Sequence, residues 1–118
     1  LIGTYMELEV IIKGESALTK IKGKLTAISF SESLRGTVKD LCDKEIKTII
    51  LDMSELIYID STGVGELVSV YTTASNADIN LYLFDVPKVV EEILETTNLL
   101  EVFTILDESA EEVSPFIA

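Results

Sequence analysis

Residues 46–52 read IKTIILD, and residues 60–65 read DSTGVG. The first run is almost continuously apolar, which is typical of a central strand that is covered on both faces. The second run leads into residues 64–75, where apolar side chains recur at helical spacing. The segment therefore predicts a buried strand that ends at Asp52, a loop over residues 53–60 and then a helix.

The N-terminal residues predict a hairpin. Residues 5–12 alternate between two faces, which is the period of a strand with one wet face. One face is apolar and consists of Met6, Leu8, Val10 and Ile12. Residues 14–16 favour a turn, and residues 17–22 predict a second short strand that ends at Gly23. We expect these two strands to pair antiparallel.

A helix is predicted over residues 31–43, with Ser31 or Ser33 as its cap. Its apolar stripe consists of Phe30, Leu34, Val38 and Leu41. Cys42 lies beside this stripe, and we interpret it as a small apolar side chain without a reactive role.

The C-terminal half continues the alternation of strand and helix. Residues 79–86 predict a strand, and Pro87 suits the first position of the helix that follows. Residues 102–106 predict a last strand, and an acidic helix capped by Asp107 would end the chain. The order ββαβαβαβα predicts an α/β protein with a mixed sheet of about five strands, an N-terminal hairpin and four helices.

Composition narrows the function classes. The 118 residues suit a single domain over 1–118, and the net charge of −12 disfavours nucleic acid and anionic membranes as partners. The sequence has no histidine, so nucleophilic triads that need an imidazole are excluded, and we expect no metal, no cofactor and no enzymatic activity. One cysteine and no apolar run of about 20 residues point to a cytoplasmic protein.

The segment from Asp60 to Gly65 is the main candidate site. Asp, Ser and Thr are common helix caps, so a capped helix start explains part of the pattern. Two glycines in the first turns, Gly63 and Gly65, suggest in addition that something approaches the backbone closely. A helix N-terminus favours negative charge, so a phosphate on Ser61 could be held there.

These residues resemble the signature of the STAS domain, a name that covers sulfate transporters and anti-sigma-factor antagonists. The resemblance is carried by Leu51-Asp52-Met53-Ser54 and by Ile59 to Gly65. It extends from about Tyr5 to Val113 and includes weaker flanking patterns at Gly23-Lys24-Leu25, Leu81 to Pro87 and Asn98-Leu99-Leu100.

The resemblance implies a free-standing antagonist that binds an anti-sigma factor and thereby releases a sigma factor. In such systems the anti-sigma factor is often also a serine kinase, which would phosphorylate Ser61, and a separate protein phosphatase would reverse the modification. Thr62 is a weaker candidate acceptor. One departure from the family is Thr26, which stands where an acidic residue is common near the acceptor. The implied partner-binding residues are Thr26, Asp60, Ser61, Thr62, Gly63, Val64 and Gly65.

Three other interpretations compete with this one. A receiver-type signalling domain could use Asp52 as its phosphoacceptor, but it needs an acidic pair after the first strand, and Ile12-Lys13-Gly14 offers none. A hydrolase with Ser61 as nucleophile lacks the histidine and the Gly-x-Ser-x-Gly pattern. The open alternative is a STAS subunit or fragment of a larger assembly, such as a stress-sensing complex, a lipid-transport ABC system or an anion transporter.

Overall fold

The computed structural model of the chain describes residues 6–27 and 33–117. Its strands are β1 (Met6–Lys13), β2 (Ser16–Leu25), β3 (Thr48–Ile59), β4 (Asn80–Phe84) and β5 (Thr104–Leu106). They form one sheet in the order β1-β2-β3-β4-β5, in which β1 and β2 are antiparallel and the other neighbours are parallel. This arrangement confirms the predicted mixed sheet with its leading hairpin.

The helices confirm the predicted order of elements. They are α1 (Leu34–Cys42), α2 (Ser61–Asn76), α3 (Lys88–Thr96) and α4 (Ser114–Ile117), with a short 3₁₀ turn at Leu100–Val102 before β5. Ser33 caps α1 by accepting a hydrogen bond of 3.1 Å from the Gly36 N–H. The predictions for Phe30 and Ser31 lie outside the described residues. No described helix combines the length and the apolar character that a membrane span requires.

The two faces of the sheet are covered differently. Helices α1, α2 and α3 pack on one face, where they enclose a broad aliphatic cluster that includes Ile21, Leu51 and Leu67. The opposite face has a smaller cluster of Leu18, Ile50, Phe84 and Val113, against which the C-terminal segment packs. Because alternate residues of a strand point to opposite faces, adjacent residues such as Ile50 and Leu51 belong to different clusters.

Strand β3 corrects the predicted loop over residues 53–60. It continues to Ile59 and has 12 residues, whereas its neighbour β2 has 10. Two register shifts, between Lys20 and Lys22 and between Gly23 and Lys24, accommodate the two extra residues of β3 as bulges. Asp52 is therefore not a strand terminus; it lies within β3 and accepts a hydrogen bond of 3.0 Å from the Ser54 N–H.

Other features of the structure also differ from the predictions. β2 does not end at Gly23 but passes through it, at a φ of 92°, to Leu25. The apolar face of β1 is buried only at Met6 and Leu8, while its later residues are exposed. The predicted acidic helix after Asp107 is a series of turns, because the Asp107 carboxylate accepts the Ser109 N–H at 2.8 Å in a local turn, and α4 forms only from Ser114.

Candidate functional site

Helix α2 starts directly after β3, and Asp60 links the two. The Asp60 Oδ1 accepts a hydrogen bond of 2.9 Å from the Gly63 N–H, which caps the first turn of the helix. The Asp60 Oδ2 accepts a second hydrogen bond of 3.2 Å from the Ala27 N–H. The Asp60 N–H in turn donates to the Leu25 carbonyl at 3.3 Å. One residue therefore joins the end of β2 to the start of α2.

Gly63 allows the end of β2 and the start of α2 to pack closely together. A Cβ atom at this position would lie 2.0 Å from the Leu25 carbonyl oxygen and 2.8 Å from the Ile59 Cγ1. Such distances are far below van der Waals contact, so only glycine fits here. The close approach that was predicted from the glycines is thus made at Gly63 by the chain's own backbone.

Gly65 has a different environment. No heavy atom lies within 4 Å of the position that its Cβ would take, and the residue is exposed. The fold therefore does not require a glycine at this position. Gly65 lies four residues after Ser61, so the two residues share one face of the helix.

The predicted site residues divide into a surface set and a supporting set. Ser61, Thr62 and Gly65 are exposed, whereas Gly63 and Val64 are buried beneath them. Neither the Ser61 hydroxyl nor the Thr62 hydroxyl makes a hydrogen bond to a described residue. Ser61 is the first residue of α2, where free N–H groups and the helix dipole favour a negative charge.

Thr26 lies beside this helix start. It is half-buried and follows Leu25, whose pairing partner across the sheet is Ile59. The hydrogen bond from Ala27 to Asp60 holds this connection against the cap. The structure therefore brings the segment around Thr26 and the segment around Ser61 together, as the resemblance implied.

Sequence reasoning missed two residues at this end of the sheet. Ile57 and Tyr58 have exposed fractions of 63% and 47%, although both belong to β3. The second bulge lies between the pairs Gly23–Leu56 and Lys24–Tyr58, so Ile57 is the unpaired extra residue. Apolar side chains inside a segment that is predicted as a loop were the available signal. They add an apolar edge next to the polar start of α2.

Charges on the neighbouring strands are largely paired. Lys20 contacts Glu55 at 3.3 Å, and Lys22 contacts Glu9 at 3.2 Å and Glu7 at 3.8 Å. The hydrogen bond and the charge of Glu9 raise the pKa of Lys22 above its usual value. The two lysines therefore have carboxylate partners within the chain. Among residues 6–27 and 33–117, no group of three or more carboxylate or thiol side chains is placed to hold a metal ion.

Comparison with known proteins shows which family and which solved structures the chain resembles. Residues 8–112 match the sequence profile of the STAS domain. An anti-sigma factor antagonist from Mycobacterium paratuberculosis superposes with a TM-score of 0.78 at 11% identity, over 95% of this chain and 94% of the other. The Bacillus cell fate determinant SpoIIAA in its phosphorylated form gives 0.68 at 18% identity, over 96% and 99%.

A third solved structure comes from a different functional context. A sulfate transporter family protein from Wolinella succinogenes superposes with a TM-score of 0.68 at 17% identity, over 90% of this chain and 87% of the other. At these identities the three structures establish a common fold. The helix start with Asp60, Ser61 and Gly63 lies within the matched residues 8–112.

Proposed function

The chain belongs to the STAS domain family, and from this premise we propose that it is an anti-sigma factor antagonist. In this proposal the unmodified protein binds an anti-sigma factor that is also a serine kinase, and the sigma factor is released. Phosphorylation of Ser61 ends the binding, and a protein phosphatase restores it. The chain is then a substrate and a binding partner, not a catalyst.

One observation carries the proposal: the exposed Ser61 hydroxyl stands at the first position of a rigidly held helix. Asp60 and Gly63 fix this position from beneath, through the cap and the close backbone packing. An exposed hydroxyl without a described hydrogen-bond partner is accessible to a kinase. The phosphorylated structure of SpoIIAA, which shares this fold, supports a modification as part of the function.

A phosphate at Ser61 would change the surface without unfolding it. It adds about −1.5 to −2 charges at pH 7, and the helix N-terminus is the end that tolerates negative charge. A partner that docks against the neutral hydroxyl and the exposed Gly65 would be repelled by this charge. A switch from 1% to 99% release requires about 5.5 kcal/mol of difference in binding, for which repulsion and the desolvation of a phosphate are suitable sources.

The decisive experiment is intact-mass measurement after incubation with ATP, magnesium and candidate anti-sigma kinases. We expect one added phosphate on the wild type and none on Ser61→Ala. Thr62→Ala is the matched control, because it removes the neighbouring exposed hydroxyl and should still accept one phosphate. If Ser61→Ala is phosphorylated and Thr62→Ala is not, the acceptor is Thr62 and the assignment of Ser61 is wrong.

Binding is measured with the same proteins by titration calorimetry. We expect Ser61→Ala to bind the anti-sigma factor as the unmodified wild type does, and phosphorylated wild type to lose most of its affinity. Loss of binding in a folded Ser61→Ala variant would make the hydroxyl a required contact and would contradict a simple release switch.

A second candidate function is favoured by the match to the sulfate transporter family protein. There the same fold would serve as a regulatory or structural part of a larger assembly. The two candidates differ in one result: a part of an assembly would show neither phosphorylation nor binding with any anti-sigma kinase.

A further inference from the structure

Strand β1 is an edge of the sheet, and its outer half is apolar. It pairs only with β2, and no described residue pairs with its other side. Val10, Ile11 and Ile12 have exposed fractions of 39%, 41% and 46%. Three successive exposed aliphatic residues on an unpaired edge are unusual, because such an edge is a template for another strand.

The hairpin defines which backbone groups point outward. Lys13 pairs with Ser16 across a two-residue turn that starts at Gly14, whose φ is 63°. In a hairpin with such a turn, the flanking pair exchanges both of its backbone hydrogen bonds, and bonding then alternates along the strand. Lys13, Ile11 and Glu9 therefore bond to β2, and the N–H and C=O groups of Val10 and Ile12 face the open edge.

We propose that this edge binds β1 of a second copy of the chain, antiparallel, with Ile11 opposite Ile11 of the second copy. In this register Val10 lies opposite Ile12, and each pair forms backbone hydrogen bonds through the groups that face outward. Glu9 lies opposite Lys13 of the second copy. Because the interface is twofold, each dimer has two such pairs of opposite charge, one at each end of the patch. Self-complementarity of this kind is what a twofold interface requires.

The charges at the ends favour this register over its neighbours. A shift that places Val10 opposite itself would put Glu9 against the apolar Ile11, and a shift that centres on Ile12 would put Lys13 against Ile11. Over residues 9–13, only the central register pairs apolar residues with apolar residues and charges with opposite charges. Such exposed ion pairs contribute little energy, but they select the alignment.

The present partners of these charges are compatible with the pairing. The Lys13 Nζ donates to the Pro115 carbonyl at 2.8 Å and lies 6.0 Å from the centre of the Phe116 ring. An ammonium group has three donors, so it can keep this bond and add a carboxylate. The Glu9 Oε2 contacts Lys22 at 3.2 Å, which leaves its other carboxylate oxygen for a second cation.

The first test is sedimentation equilibrium of the full chain over a wide range of concentrations. We expect reversible dimers for the wild type and loss of self-association for Ile11→Glu, because the substituted carboxylate would face its own copy across the twofold axis. Ile105→Glu is the control, since it places the same charge on an exposed residue of the opposite edge strand, β5, and should leave the dimer intact. Thermal melts of both variants establish that they are folded.

Charge exchange tests the register. Glu9→Lys and Lys13→Glu should each weaken the association about tenfold, because each replaces two attractive pairs with two repulsive ones. The double variant Glu9→Lys/Lys13→Glu restores opposite charges across the interface and should regain the affinity. A double variant as weak as the single ones would overturn the register.

Cross-linking reports which residues of the two copies lie opposite each other. In a Cys42→Ser background, Ile11→Cys should form an intermolecular disulfide rapidly, since directly opposed residues of a non-hydrogen-bonded pair have Cα atoms about 4.5 Å apart. Val10→Cys and Ile12→Cys should react more slowly, because each would lie diagonal to its own copy. Equal rates for the three variants, or a wild type that stays monomeric at every concentration, would overturn the proposal and leave this edge to a foreign strand.

Discussion

Gly63 and Gly65 lie two residues apart on α2, but the space around them differs completely. A methyl group at Gly63 would collide with the Leu25 carbonyl oxygen, and one at Gly65 would meet nothing within 4 Å. We expect Gly63→Ala to reduce the free energy of unfolding by about 3 kcal/mol or more, or to prevent folding. Gly65→Ala should increase it by up to about 1 kcal/mol, because alanine is the better helix former.

Urea unfolding of the two variants checks this pair, and each serves as the other's control. The same substitution in the same helix turn changes the free energy of unfolding in opposite directions only if steric contact determines the change. A Gly65→Ala variant that is as unstable as Gly63→Ala would show that the helix start itself does not tolerate a side chain.

Thr19 is a second residue whose surroundings predict a mutational effect. It is fully buried in β2, and its hydroxyl has no hydrogen-bond partner among the described residues. Burial of an unpaired hydroxyl costs about 1–3 kcal/mol. Thr19→Val keeps the shape and removes the polar atom, so the free energy of unfolding should rise by about 1 kcal/mol.

Calorimetric melting of Thr19→Val measures this change. Thr37→Val is the control, because Thr37 is only half-buried and lies on α1. A lower melting temperature for Thr19→Val would mean that the hydroxyl has a partner, such as a buried water molecule.

At the scale of the element, the junction of β3 and α2 depends on one carboxylate. Asp60 caps the helix and also holds Ala27, so Asp60→Ala removes two hydrogen bonds. A lost cap costs about 0.5–2 kcal/mol, and the bond to Ala27 adds to it, so we expect a loss of about 2 kcal/mol. Asp40→Ala on the exposed side of α1 is the control and should change stability little.

Hydrogen exchange tests whether Asp60 acts on both elements. In Asp60→Ala the amides of Gly63 and Ala27 should exchange faster together. Faster exchange at Gly63 alone would mean that the bond to Ala27 contributes nothing to the connection between β2 and α1.

Most elements follow from hydrophobic periodicity, and β3 shows where that signal fails. The buried residues Met53, Leu56 and Ile59 recur every three positions, because two bulges insert extra residues into a strand whose normal period is two. The pattern therefore resembles neither a strand nor a helix, and sequence reasoning predicts a loop in its place.

Only part of the candidate site could be predicted from the sequence, because the rest depends on contacts between residues that are far apart in the chain. The helix start at Ser61 and the unusual glycines follow from local residue types. The group that Gly63 accommodates is a carbonyl of Leu25, which lies 38 residues earlier in the chain and has no local signal. Likewise, a turn forms at Asp107 in place of the predicted helix, because the Asp107 carboxylate accepts a hydrogen bond from the Ser109 N–H and this bond competes with helix formation.

At the scale of the whole molecule, net charge is the dominant feature. With 21 acidic and 9 basic residues the chain repels itself, while the ion pairs of Lys20 with Glu55 and of Lys22 with Glu9 are partly exposed and individually weak. We expect sodium chloride to raise the melting temperature by several degrees between low and moderate ionic strength, as the Debye length falls from about 30 Å to about 8 Å.

A melting series in sodium chloride at constant pH measures this effect. An isosmolar series in sucrose is the control for effects that do not depend on charge. A melting temperature that falls with salt would mean that the pairs of Lys20 and Lys22 outweigh the repulsion.

The hairpin also determines how two copies of the site would be arranged in space. Ile11 pairs with Leu18, and Leu25, seven residues further along β2, lies next to the start of α2. At about 3.3 Å per residue, each Ser61 would lie about 23 Å from the twofold axis along the strands, in opposite directions. Two sites about 45 Å apart along the strand direction would form a bivalent ligand that binds most strongly to kinases which are themselves paired.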